Sequence, residues 1–350
     1  MPGRARAAPL RALLGATALL GAVALGACGS GHARTSAAAA RTASALPPAA
    51  EPAAAPRAEA PPAGRSVAVG DSPEGIAFDP VTGLAVVAVR NPAELVLLRA
   101  RSGKVLRRIP IAAPARHLQL ARPGGPVLAP EEAANSLLEL SLPGGETRSI
   151  PVGAHPHDAA AVGPYVFASD EFGKAVSVVR GGAELARIGG FSQPGGIAAT
   201  LGDVAVVDVR ANTVTLIAAR TRTVLGRLGA GAGPTHVVAG RGGLIYVLDT
   251  RGGAIFTYST TRHRLTLLGR TALAGGPYGV AIDRTRERLW VTLTASNELV
   301  ELSLAGRLPA VLRSIPTGRQ PNSVAVDTRN GEVLVADAGA GSVQLIRPGR

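Results

Sequence analysis

From about residue 66 to the C-terminus, apolar residues alternate with polar or small ones in short runs, and Gly, Pro, Asn or Asp separates one run from the next. A period of two over such lengths predicts half-buried strands, and the β-branched content agrees. No stretch outside the N-terminus holds a helical 3.6-residue stripe, and the Gly/Pro punctuation rules out paired amphipathic helices. The runs come in fours: "GVAID", "RLWVTLT", "ELVELSL" and "AVLRSIP", between Gly279 and Pro316, are one such set.

The sets repeat. Seven prolines precede an innermost-type strand: Pro73, Pro114, Pro156, Pro194, Pro234, Pro277 and Pro321, at spacings of 41, 42, 38, 40, 43 and 44 residues. Units of four strands with that period belong to propeller blades. The expected fold is all-β, a seven-bladed β-propeller over residues 65–350. Its last unit stops one strand short, whereas "RSVAVG" (Arg65–Gly70) stands in surplus before the first anchor. The N-terminal strand should therefore complete the last blade and remove an open edge. Alanine alternates with larger residues in "IAFD", "VAID" and "VAVD", as crowding near a propeller axis requires. Blade two is the least regular, because "RHLQL" leaves the core slot open to either His117 or Leu118.

The anchors of the type x-P-x-x-V-A-V-D and second strands such as "LWVTLTASNELVELSL" and "VLVADAGAGSVQLI" resemble the YncE-like, YVTN-repeat family of seven-bladed propellers. The likeness spans about residues 66–350. Trp290-Val291-Thr292-Leu293 is the nearest approach to the tetrapeptide itself. The resemblance implies a fold more than an activity. NHL-type and streptogramin-lyase-like propellers share the period and export but differ in their sites.

The N-terminus changes the picture of where such a ring would work. Arg4, Arg6 and Arg11 precede an apolar run, Leu13–Ala27, that is too short for a membrane-spanning helix and suits a signal peptide over residues 1–27. The run ends in "LGAC", which resembles a bacterial lipobox, so Cys28 is the expected lipidation site and the membrane a partner through that lipid. The expected address is the outer face of the cytoplasmic membrane, in the cell envelope. Cys28 is the only cysteine, so no intrachain disulfide can form. Residues 28–64 are rich in Ala and Pro without an apolar period and read as a disordered tether.

The net charge is +13. Residues 1–66 hold seven arginines and two glutamates, or +5, which leaves +8 for the remainder. Those arginines are scattered through turns without interleaved aromatics, so the sequence offers no platform for nucleic acid.

Chemistry is sparse. The loops that carry the anchors should converge on one mouth of the central channel, the one preformed concavity of a propeller. Candidate ligand-binding residues there are Glu74, Arg116, His155, His157, Asp158, Thr235, His236, Tyr278 and Asn322. Three readings of this mouth stand open. Its side chains hydrate a channel; or Arg116 and the imidazoles bind a small polar or anionic ligand; or His155, His157 and His236, with Asp158 or Glu74, form a metal or acid–base site. The metal reading is disfavoured because histidines at i and i+2 around a proline point to different sides of an extended segment. Asp170, Asp208, Asp249 and Asp337 each end a second strand, which is what a structural turn rule produces. The expectation carried forward is a monomeric module that binds a ligand or a protein at the axial mouth, with no metal, cofactor or catalytic residue assigned. The alternative is a propeller lyase or hydrolase that uses His157 and His236.

Overall fold

The computed structural model describes residues 48–349; the expected signal peptide, Cys28 and the first part of the expected tether lie outside the described residues. Seven four-stranded antiparallel sheets form a ring of blades. The first blade comprises Asp71–Asp79, Leu84–Asn91, Glu94–Arg99 and Lys104–Pro110, from the axis outward. The seventh comprises Pro321–Asp327, Glu332–Asp337, Ser342–Ile346 and, as its outermost strand, Arg65–Ala68. Arg65 pairs with Leu345 and Ala68 with Ser342, so the N-terminal strand closes the ring. The seventh inner strand packs beside both the first and the sixth.

The core lies between blades rather than within them. Seven clusters of buried apolar side chains each draw on two adjacent blades. Val87, Val96 and Phe78 of blade one meet Leu334, Val343 and Leu345 of blade seven, for example. Strand alternation gives each blade two apolar faces, one for each neighbour, and burial between them supplies the stability that no disulfide can. The outermost strands, such as Ala310–Pro316, are exposed along most of their length.

Blade two departs from the pattern. Its inner strand is only Gln119–Leu120, preceded by an isolated bridge between Ala115 and Glu131. Leu118 takes the core slot against Leu84, Val86 and Leu138, and His117 turns into the central channel instead.

Residues 48–63, which composition assigns to the tether, form no helix or strand but do not hang free. They run over one end of the ring from blade five to blade seven. Arg251 donates to the Pro48 carbonyl, Asn297 to that of Pro56, and the Ala63 N–H donates to Pro316. Gln320 grips the strap twice, accepting the Ala55 N–H at 2.8 Å and donating to the Ala53 carbonyl at 2.9 Å. Ala50 and Ala55 are buried. The expected disorder does not extend to these residues, because side-chain amides and guanidinium groups satisfy a backbone that has no sheet partner.

Candidate binding site at the axial mouth

Five inner strands start at their anchor proline and the first contains it, and in these six blades the pairing slips just after it, for example between Pro73 and Ile76 and between Pro234 and Val237. Proline offers no N–H to the ladder, so the strand opens with a bulge that re-aims the next side chains. Glu74, His157, Thr235, Tyr278 and Asn322 all follow an anchor proline directly. Left-handed backbone precedes four of the anchors, at Ser72, His155, Gly276 and Gln320.

The mouth is closed by a layer of aromatic rings. His117 and His236 meet Nε2 to Nε2 at 3.1 Å. His157 lies 4.7 Å from His117, and Tyr278 stands edge-on to His236 at 4.5 Å, both between ring centroids. Below this layer the channel widens into a cavity of about 650 Å³ that reaches the opposite end of the ring at Pro80, Arg122, Arg284 and Thr328.

Charge is sorted sharply around the rings. His157 Nδ1 faces Glu132 at 3.6 Å and Glu171 at 3.4 Å, and His155 Nδ1 lies 3.6 Å from the same Glu171 oxygen. Burial opposes the His157 charge, but the two carboxylates outweigh it and raise its pKa to about 9. Burial raises the pKa of Glu171, yet His157 and Gln193 pull it down to about 2. His236 moves the other way, to about 3, through burial and the charges of His157 and Arg116. His117 is held well below the usual imidazole value by burial and by His236 and His157. Both are therefore neutral, and one donates to the other. Arg116 remains charged although burial works against it, because Tyr278, Glu51, Glu74 and Glu132 favour the guanidinium. Its partner from the strap is the Glu51 carboxylate.

The structure brings most of the expected residues together. Glu74 pairs with Arg90 at 2.7 Å. Thr235 bonds Thr250, which in turn donates to the Pro277 carbonyl. Asn322 is buried with its Oδ1 unpaired. Asp158 is a joint rather than a ligand group, because its carboxylate accepts from Gln119 Nε2, Ile197 N–H and Ala159 N–H and so ties blades two, three and four. Burial raises its pKa to about 6 against those donors.

Glu132 and Glu171 lie outside the residues that the sequence singled out, and His117, weighed there for a core slot, lies outside its ligand-binding set. The signal for the two glutamates was present. Each follows the acidic residue that ends a second strand, in "PEE" and "SDE", and the equivalent positions elsewhere are Arg90, Val209, Thr250, Thr294 and Ala338, none of them acidic. The acidic residues themselves are structural. Asp208 accepts from Ser192 N–H, Gln193 N–H and Ala211 N–H, and Asp249 from Ala232, Gly233 and Gly252. These two pin the anchor loop as well as the following turn, while Asp170 accepts from Ser177 Oγ. Glu131 pins the anchor loop in blade two through Ala112 N–H and Ala113 N–H.

Geometry and topology define the class: a seven-bladed β-propeller with a polar mouth. No family model matches the chain, and no curated protein matches it in sequence. Solved structures share the fold. A streptogramin B lyase superposes with a TM-score of 0.69 at 15% identity, over 80% of this chain and 96% of that one. Hydrazine synthase of Kuenenia stuttgartiensis gives 0.70 at 14%, over 81% and 97%. Virginiamycin B lyase from Staphylococcus aureus gives 0.65 at 14%, over 80% and 98%. Each likeness concerns the fold alone.

Proposed function

We propose that this propeller is an exported binding module, anchored through lipid on Cys28 and similar to the YncE-like group, that holds an extended acidic segment of a partner protein across its axial mouth. The observation that carries the reading is the strap. Gln320 reads both an N–H and a carbonyl of an extended chain, Asn297 and Arg251 take two further carbonyls, and Arg116 takes a carboxylate. Main-chain bonds supply affinity and one charged pocket supplies selectivity, the logic of extended-peptide recognition. Phe172, 60% exposed on the rim, adds an apolar contact for a longer partner. Residues 48–56 thus act as a ligand in cis. The lyase alternative has less support, since His157 and His236 are buried and a substrate would reach neither ring directly.

The test uses a full-length variant with Glu51→Ala and Ala55→Pro, which removes the carboxylate and the N–H that hold the strap, and a synthetic peptide copying residues 48–57. The peptide should bind this variant by calorimetry, and both Arg116→Ala and a Glu-to-Lys change in the peptide should abolish binding. Absence of binding, or equal binding of the Lys peptide, sinks the proposal. Cys28→Ser should release the protein from membranes with its fold intact; a mutant that still pellets after a high-salt wash removes the lipid from the proposal.

A further inference from the structure

Four ligand-type atoms gather on the blade-two and blade-three side of the mouth, and none of them serves a backbone joint of the fold. Glu132 Oε1, His155 Nδ1 and His157 Nδ1 are buried without a hydrogen-bond partner. Glu171 anchors its Oε1 on Gln193 Nε2 at 2.7 Å, which leaves Oε2 facing both histidines. Glu132, His157 and Glu171 are only 7%, 6% and 5% exposed.

The spacings between these atoms are informative. His155 Nδ1 to Glu171 Oε2 is 3.6 Å, His157 Nδ1 to the same oxygen 3.4 Å, and His157 Nδ1 to Glu132 Oε1 3.6 Å. Such separations exceed good hydrogen bonds. They match the edges of a coordination shell: bonds of about 2.1 Å to a tetrahedral ion place neighbouring donors roughly 3.4 Å apart. One ligand atom from each of Glu132, His155 and Glu171 lies within 4.8 Å of the other two.

We infer that Glu132, His155, His157 and Glu171 form a binding site for one divalent transition-metal ion. Two carboxylates and two imidazoles neutralise such an ion and select it over Mg²⁺ or Ca²⁺, which prefer oxygen ligands throughout. The expected obstacle, that histidines flanking Pro156 diverge, is removed by the backbone. His155 adopts φ 58°, a left-handed conformation that costs a non-glycine residue energy and swings its ring to the side that His157 takes. Two bonds hold it there: His155 N–H donates to Asn135 Oδ1 at 2.8 Å, and Glu171 N–H donates to the His155 carbonyl at 2.9 Å. The Phe172 ring packs against His155 at 4.4 Å. His155 is the half-exposed member and marks the entry path. This site stands independently of the peptide reading above.

The test is made on full-length protein stripped with chelator and dialysed. Titration with Zn²⁺, Mn²⁺ or Co²⁺ should load near one equivalent per chain and raise the melting temperature, while Mg²⁺ and Ca²⁺ should not. Glu171→Gln and His155→Ala should each weaken binding about tenfold or more. Bound Co²⁺ should show the intense visible bands of a four-coordinate site, and circular dichroism of each variant establishes that it remains folded. His236→Ala, which alters the neighbouring group of His117, His157 and His236, should leave the metal in place. No binding by the wild-type protein, unchanged binding by both site variants, or loss through His236→Ala alone would overturn the assignment.

Discussion

Asp249 offers the sharpest measurement of what aims the mouth. Its carboxylate, 2% exposed, takes the Ala232 N–H at 3.1 Å, that of Gly233 at 2.8 Å and that of Gly252 at 3.0 Å. Gly231 and Gly252 approach it so closely that a Cβ on either would fall 2.1 or 1.9 Å from Oδ2. Asp249→Ala strands three backbone donors at once. An unsatisfied buried donor costs about 1–3 kcal/mol. Only the Gly233 bond is fully buried, and water can reach the other two. The expected loss is therefore about 3–5 kcal/mol rather than the full sum of about 9. For a chain of this size that is a fall in Tm of roughly 6–10 °C. Asp249→Asn keeps Oδ1 for Ala232, Gly233 and Gly252, sets an amide where Oδ2 shares the Ala232 N–H, and should cost about 1–2 kcal/mol. Scanning calorimetry of both variants gives the comparison. If Asp249→Ala melts with the wild type, or if Asn is as damaging as Ala, the carboxylate is not the pin described and the rim ring needs another role.

Two further outcomes follow from the same structure. A chain beginning at Pro73 should melt well below one beginning at Arg65, because it opens the edge of blade seven and loses Val69, whose burial alone is worth about 2 kcal/mol; coincident melting curves would show that the ring closes without that strand. Asp337 is fully buried and neither of its oxygens makes a hydrogen bond of good geometry; burial, which the nearby Gly318 N–H offsets only in part, raises its pKa from 3.8 to about 8. The folded state thus holds this proton more tightly than the unfolded one, so stability falls as pH climbs from about 4 and levels off beyond about 8. Asp337→Asn should match the wild type near the lower limit and exceed it by several kcal/mol at the upper one, and a denaturation series across pH that shows parallel curves would refute the assignment.

The architecture was legible because its cause is local and repeated. A proline at or near the start of the inner strand, alanines on one face of it and a surplus strand at Arg65 all leave marks in one dimension. The mouth was legible only in outline. His155 and His157 were identified, but their divergence was assumed from an extended backbone, and the positive φ at His155 cannot be read from a non-glycine residue. Glu171 went unremarked because its neighbour Asp170 was read as a turn former, and Glu132 because blade two, the least regular, did not show its second-strand acid. Asp158 misled by adjacency: its partners Gln119 and Ile197 come from other blades, and only folding brings them near. The strap escaped because Ala/Pro composition reports the absence of an apolar face. It does not report bare carbonyls, which any extended chain can offer to Gln320, Asn297 and Arg251.

The strap also sets a mechanical order. It runs without a break into the strand that closes the ring, so a load applied at residue 48 meets the two in series. First in line are isolated side-chain clasps, which give way one at a time. Behind them stands Arg65–Ala68, held along its length by Ser342–Ile346 and by the packing of Val67 and Val69. Tension from the N-terminal side would uncover the mouth while the ring stayed shut, and slack would let the cover settle back.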